Sequence, residues 1–189
     1  MNSPKHFETP GDKATHFLRL IATPDLPGLG PGARPSALDA HVVESRVADW
    51  LRDFAPNHTE PELLRSAALL WHDHLEASHM LSQSIDTSSG SFLHGIMHRR
   101  EPDYSNAKYW FRRVQGHSAY EKVFGAVQTR LTSLTPFESV PNWMAEGIWD
   151  PYGFVDAVES ALHAGQKDEI ESLQWIQQIE FEYLVRSFF

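Results

Sequence analysis

The spacing of the apolar residues is the feature that most constrains this fold. In several stretches they recur three or four positions apart, which is the period of one helix face. The longest such stripe comprises Leu63, Leu64, Ala67, Leu70, Trp71, Leu75 and Leu81. Strict alternation of apolar and polar residues, the period of a strand, does not persist over a useful length. The sequence therefore predicts an all-α fold in which Trp71 is buried.

Residues that favour helix starts precede these stripes. The candidates for N-caps are Ser36, Thr59, Ser118 and Asp150. A serine, threonine or aspartate at this position accepts a hydrogen bond from a free backbone N–H of the first turn. We predict a bundle of about six helices around one core, the longest running from Thr59 to about Ile85.

The length of 189 residues favours a single domain. Seven of the thirteen residues from 23 to 35 are glycine or proline, which is typical of a loop or an extended arm. We therefore expect an irregular N-terminal arm over residues 1–35 and a single helical domain over residues 36–189.

Composition excludes several classes of function. The chain has no cysteine, which excludes disulfides, zinc–thiolate sites and a thiol nucleophile. Its net charge of −9 disfavours nucleic acid and anionic membranes as partners. The start, from Met1 to Pro10, is polar and lacks the apolar segment of a secretory signal. We expect a cytoplasmic protein that contacts neither nucleic acid nor membrane.

Histidines and carboxylates form two stripes of similar spacing, each placing its members on one helix face. The stripes consist of His72, Glu76 and His79 on the longest predicted helix and of His94, His98 and Glu101 on the next. A turn at residues 86–90 would fold the two helices antiparallel, so that the stripes face each other. Neutral imidazoles and carboxylates that converge in this way build metal sites in helical bundles.

Three interpretations of the stripes remain open. In the first, one divalent metal ion is bound by His72, Glu76, His79, His94 and His98. In the second, a polar pocket without metal uses His72, Glu76 and His98 for acid–base catalysis. In the third, the histidines are exposed to solvent or purely structural. His74 points roughly 160° away from His72 on a helix, so we expect it to be a hydrogen-bonded core residue.

Residues 90–117 carry five basic and two acidic side chains in an otherwise acidic chain. Arginine forks pair with carboxylates or phosphates, and aromatic rings stack on flat ligands. The candidates for ligand binding in this segment are Arg99, Arg100, Tyr104, Lys108 and Trp110. Here Arg99 or Arg100 would clamp an anion. In the alternative interpretation, both arginines pair with Glu101 and Asp103 to hold a tight turn.

The segment from Leu93 to Val114 has a distinctive pattern. A histidine precedes Arg-Arg-Glu-Pro-Asp, and a Tyr-Trp-Phe-Arg-Arg block follows. This pattern resembles a signature of a family of uncharacterised bacterial proteins, to which the stretch from His72 to Gln83 also belongs. The resemblance covers about a third of the chain. It implies a shared site around these residues but no particular reaction.

A second resemblance involves the segment from Ala67 to Asp73, Ala-Ala-Leu-Leu-Trp-His-Asp. It is similar to the Ala-Leu-Leu-His-Asp segment of HD-type phosphohydrolases, which are all-α metal enzymes. That resemblance implies His41 as a further ligand and a later aspartate from the set Asp103, Asp150 and Asp156. The chain differs from that family in two places. Trp71 is inserted before His-Asp, and His74-Leu75 stands where the family has Ile-Gly.

Together these features predict a pocket over residues 72–117 that binds a small polar or anionic molecule. A metal-assisted hydrolase or an isomerase is the expected class of enzyme. The alternative is a non-catalytic interaction module. In that case the aromatic segment 132–149 and the C-terminal Phe188-Phe189 would form a partner surface, with a homodimer as one outcome.

Overall fold

The computed structural model describes residues 9–133, 144 and 147–189, and within these residues the chain is all-helical. Nine helices and no strand occur there, which confirms the predicted fold class and exceeds the predicted number of helices. The helices are α1 Pro10–Ile21, α2 Ala40–Phe54, α3 Pro61–Trp71, α4 Leu75–Ser82, α5 Ser88–Arg100, α6 Tyr104–Val114, α7 Ala119–Ser133, α8 Pro151–Ala164 and α9 Lys167–Arg186. None of these described helices has both the length and the apolarity needed to cross a membrane.

The first helix corrects the prediction of an irregular N-terminal arm. Thr9 caps α1 by accepting a hydrogen bond from the backbone N–H of Asp12. Phe17 and Ile21 lie on the inner face of α1 and are buried, and the Phe17 ring meets Trp50 at 5.2 Å between centroids. These tertiary contacts stabilise α1, which is too short for its sequence pattern alone to predict a helix. Residues 22–39 do form a connection without regular structure.

The longest predicted helix is in fact two helices, α3 and α4, with a break over residues 72–74. Asp73 lies at the break with a φ of 65°, in the left-handed region that aspartate tolerates better than most residues. Its carboxylate accepts hydrogen bonds from Arg34 at 2.8 Å and from Arg100 at 2.7 Å. Contacts distant in sequence therefore override an apolar stripe that continues through the break.

Helix boundaries agree best with the sequence around α8. Asp150 accepts a hydrogen bond from the backbone N–H of Tyr152, and Gly165 ends the helix in the left-handed conformation. Elsewhere a predicted cap is displaced, because α2 begins after Asp39 rather than after Ser36.

Helix α5 lies at the centre of the site region and packs against α3, α4 and α6. It is buried along its length, including the apolar residues Phe92, Leu93, Ile96 and Met97. At Gly95 a side chain has no room, because a Cβ atom would lie 2.9 Å from the ring of Phe111 on α6. This close approach holds α6 over the polar residues of α5.

The C-terminal phenylalanines lie in the core and do not form the predicted partner surface. Phe188 is buried, and the ring of Phe189 packs against Phe17, Trp50 and His58. The other part of that predicted surface, the aromatic segment 132–149, lies mostly outside the described residues.

Trp71 is buried, as predicted, with 6% of its surface exposed. Its indole N–H donates to Thr23 Oγ1 at 3.1 Å, and its ring lies 5.1 Å from that of Phe181. The side chain thus joins α3 to both the N-terminal connection and α9.

Replacement of this indole should leave a large cavity. We expect Trp71→Ala to lower the free energy of unfolding by about 3–5 kcal/mol in urea titration. Tyr109→Ala, at a 46% exposed aromatic residue, is the control and should change it by about 0.5 kcal/mol or less. A loss below about 1 kcal/mol for Trp71→Ala would contradict the packing described here.

Candidate metal centre

Three histidines from two helices meet between α4 and α5. His79 comes from α4, whereas His94 and His98 lie one turn apart on α5. One ring nitrogen from each residue lies within 4.8 Å of the other two. The ring centroids are 4.7 Å apart for His79 and His94, 5.1 Å for His79 and His98, and 4.7 Å for His94 and His98. These three residues, the histidine cluster, could hold a metal ion.

Two carboxylates adjoin the histidine cluster on its outer side. Glu76, His79 and Glu101 form a second group whose ligand atoms lie within 4.8 Å of one another. Glu101 Oε2 is 3.2 Å from His98 Nδ1, and its side chain is 30% exposed. Glu76 is exposed. In the part of the chain that the structure describes, no other group of this kind is found.

His94 is the innermost member of the cluster and has no hydrogen-bond partner at either ring nitrogen. Only 1% of its surface is exposed. Burial, with further contributions from His98 and His79, lowers the pKa of His94 to about 3. The ring is therefore neutral at pH 7 and carries a free lone pair. A buried polar group left unpaired costs about 1–3 kcal/mol, which a bound cation would offset.

Helix α6 covers the other side of the cluster. The Trp110 ring stacks on His94 with 3.8 Å between centroids and 12° between planes. The side-chain amide of Asn106 lies 3.1 Å from His98 Nε2. Burial lowers the pKa of His98, an effect that the Glu101 carboxylate opposes. These contacts keep water from one side of the rings and restrict their orientation.

The histidine cluster fits a metal ion after a small contraction. Zinc–nitrogen bonds of about 2.0–2.1 Å place tetrahedral ligand atoms about 3.4 Å apart. The imidazole nitrogens, within 4.8 Å of one another, would have to approach by at most about 1.4 Å. His79 is half-buried on a short helix and can supply this movement. Three protein ligands with an open fourth position are typical of catalytic zinc sites.

The structure separates His72 from the predicted stripe. Because the chain leaves the helix at residues 72–74, the predicted face shared by His72, Glu76 and His79 does not form. His72 is buried, and its Nδ1 accepts a hydrogen bond from the N–H of Leu38 at 3.1 Å. His74 Nε2 lies 2.7 Å from the carbonyl oxygen of Leu38, so it is hydrogen-bonded as predicted but only half-buried. His72 belongs to neither metal-holding group.

Both arginines that were candidates for binding an anion form ion pairs within the protein. Arg99 lies 2.5 Å from Glu180 of α9, and Arg100 lies 2.7 Å from Asp73. The two guanidinium groups are essentially inaccessible, with side-chain exposures of 0% and 1%. The prediction that Arg99 or Arg100 clamps an anion is therefore wrong. The alternative prediction, that both pair with Glu101 and Asp103, is also wrong, because their partners lie on elements distant in sequence.

The remaining sequence candidates are dispersed. Lys108 pairs with Asp156 of α8. Tyr104 is half-buried, and burial raises the pKa of its phenol. Of the three proposed ligand-binding residues on α6, Trp110 is the one that stacks on the cluster. Asn106, which contacts His98, was not predicted, although its position four residues before Trp110 places both on one face of α6.

The residues of the HD-type resemblance are placed apart from the cluster. His41 is exposed on α2, and Asp73 is held by Arg34 and Arg100. Among the described residues, neither of the two groups that could hold a metal includes His41, His72 or Asp73.

Comparisons with known proteins leave the site to be judged from its own geometry. No family model matches the chain, and neither the curated proteins nor the solved structures gave a match. The fold and the site together define an all-α protein with a cluster of three histidines that could hold a metal ion.

The environment of His72 predicts a pH dependence of stability. Burial, together with the nearby Arg34 and His74, lowers the pKa of His72 to about 4, against about 6.5 in an unfolded chain. Because the folded pKa is the lower one, this contribution is complete above about pH 6.5 and is lost as the pH falls towards 4. The unfolded state then binds a proton that the native state does not.

We expect the free energy of unfolding to fall by at most about 1.4 kcal/mol per pH unit from His72 between pH 6.5 and 4. His72→Gln keeps an acceptor for Leu38 without a titrating group. Urea titration should therefore show that the free energy of unfolding falls less between pH 7 and pH 5 in this variant than in the wild type. The expected difference is about 1–2 kcal/mol. His163→Gln, at an exposed histidine of α8, should behave like the wild type. An unchanged pH dependence in His72→Gln would contradict the assignment.

Proposed function

We propose that the protein binds one divalent transition-metal ion through His79, His94 and His98 and uses it to hydrolyse a small polar or anionic molecule. The observation that carries this proposal is the state of His94. Its two ring nitrogens lack hydrogen-bond partners, it is 1% exposed, and it lies beside two further imidazoles.

A cluster of histidines held by hydrogen bonds alone would look different. Imidazoles that only stabilise a fold donate and accept hydrogen bonds, as His72 and His74 do with Leu38. His94 makes no such bond. Burial and mutual repulsion also keep its ring from being protonated, so it presents a lone pair rather than a charge. A buried lone pair on His94 that no hydrogen-bond donor meets favours a cation as the missing partner.

Imidazole binds a metal in its neutral form, so three such ligands would leave the full positive charge on the ion. Such an ion acts as a Lewis acid and lowers the pKa of a coordinated water to about 7. Glu76, on the exposed side of His79, is the group placed to accept the proton of that water. Asn106 and Trp110 hold the rings of His98 and His94 from the opposite side.

An anionic substrate needs a positive partner other than the buried arginines. Arg113 is the candidate, because its guanidinium lies 5.2 Å from the centroid of Trp110 and its side chain is 44% exposed. Its present partner Asp86 is 93% exposed, and water screens such a pair strongly. Arg113 can therefore exchange Asp86 for a phosphate or carboxylate at little cost.

Metal binding is the first test. A cation that binds only the native state at a hundredfold excess over its Kd stabilises the fold by about 2.7 kcal/mol. For a chain of this size we expect the Tm of chelator-stripped protein to rise by about 5–10 °C. Zn²⁺, Mn²⁺, Fe²⁺ and Ni²⁺ are the ions to compare, and the shift should shrink below about pH 6 as protons compete for the imidazoles.

The double variant His79→Ala/His94→Ala should lose the shift in Tm. His74→Ala is the matched control and should keep it, because His74 belongs to neither metal-holding group. Hydrolysis is tested with chromogenic phosphate and carboxylate esters on loaded and stripped protein, where Glu76→Gln should slow turnover by about 10²-fold or more. A Tm that no ion changes would contradict the proposal.

A further inference from the structure

Building on the proposed metal site, we infer that a divalent cation has two alternative positions. The inner position is the histidine cluster, and the outer position is formed by Glu76, His79 and Glu101. The outer carboxylates capture a hydrated ion at the surface and retain oxygen-preferring ions. Ions that prefer nitrogen move on to the inner position.

The two positions adjoin each other. In each group the ligand atoms lie within 4.8 Å, and His79 belongs to both. His98 Nδ1 and Glu101 Oε2 are separated by 3.2 Å. This is a hydrogen-bonding distance, so the inner and outer groups are in direct contact. An ion can therefore pass from one group to the other by exchanging ligands one at a time.

The shared residue makes the two positions mutually exclusive. A neutral imidazole has one protonated nitrogen and a single lone pair, so His79 can coordinate one ion at a time. Without His79, the outer group retains two carboxylates, and the inner group retains two imidazoles. One ion that alternates between positions fits this arrangement better than two ions bound together.

The two positions differ in burial, so an ion from solvent reaches the outer position before the inner one. Glu76 is exposed and Glu101 is partly exposed, whereas His94 and His98 are only 1% and 4% exposed. A net charge of −9 attracts cations to the surface, where the carboxylates meet them first. At the inner end, the unpaired nitrogens of His94 supply a ligand that gains a partner only when an ion arrives.

Ligand chemistry separates the ions. Carboxylate oxygens suit Mn²⁺ and Mg²⁺, whereas imidazole nitrogens suit Zn²⁺ and Ni²⁺. The structure thus assigns Mn²⁺ to the outer position and Zn²⁺ to the inner position. Zn²⁺ should displace bound Mn²⁺ one for one, because both need His79.

The test uses the full chain and two probe ions. Mn²⁺ binding is measured from the electron paramagnetic resonance signal of the free ion, and Zn²⁺ binding from competition with a chromophoric chelator. Glu76→Gln/Glu101→Gln should weaken Mn²⁺ binding on the order of tenfold or more and slow Zn²⁺ association in stopped flow. The Zn²⁺ affinity should fall by less than the Mn²⁺ affinity, because all three imidazoles remain and the variant removes only the carboxylate that contacts His98.

The matched control is Glu121→Gln/Glu169→Gln, which removes the same charge at two exposed residues of α7 and α9. It should leave both Mn²⁺ affinity and the rate of Zn²⁺ association at the wild-type values. Glu76→Gln/Glu101→Gln is called the outer variant below. His94→Gln should give the opposite pattern, with Zn²⁺ binding weakened and Mn²⁺ binding retained. The competition of Zn²⁺ with Mn²⁺ in the wild type needs no variant and is independent of any effect on folding.

Three results would overturn the inference. An equal loss of Mn²⁺ and Zn²⁺ affinity in the outer variant would indicate one site with five ligands. Simultaneous binding of Zn²⁺ and Mn²⁺ would indicate two ions rather than two positions. Retention of Mn²⁺ affinity in the outer variant would show that the two carboxylates do not bind the ion. A wild type that binds no Zn²⁺ would instead overturn the proposed function and this inference with it.

Discussion

The candidate site depends on the buried carboxylate of Asp73. Burial alone would raise the pKa of Asp73, but hydrogen bonds from Arg34 and Arg100 outweigh it and hold the pKa below its usual value. The ionised carboxylate joins the N-terminal connection and α5 at the point where α3 ends. Because the break separates α4 from α3, α4 can pack against α5 and carry His79 to the histidines there.

Consecutive residues of α5 fix that helix on two sides. Arg99 is paired with Glu180 of α9, and Arg100 with Asp73 at the break. Removing one partner of a buried ion pair typically costs about 3–5 kcal/mol, because the other charge is left uncompensated. His98 directly precedes these anchors and His94 lies one turn earlier. The arginines that resembled a ligand clamp therefore act as supports that hold metal-ligand candidates in place.

Local patterns predicted a substantial part of this arrangement. Helical periodicity was sufficient for the fold class, and the spacing of His94, His98 and Glu101 placed them together on one face. A turn between the two helices, at residues 83–87 rather than the predicted 86–90, brings His79 against His94. The break at Asp73 could not be predicted, since the apolar stripe continues through it. The partners of Arg99 and Arg100 lie 81 and 27 residues away, a separation at which sequence spacing carries no geometric information.

X-ray absorption at the zinc edge, on protein loaded with one equivalent of Zn²⁺, tests the central claim most directly. It measures both the type and the distance of the ligand atoms. Three imidazole nitrogens at about 2.0–2.1 Å are expected, with the multiple-scattering pattern of the rings reduced in His94→Gln. A first shell made mainly of oxygen, or a spectrum unchanged by His94→Gln, would contradict the claim that the histidine cluster binds the ion.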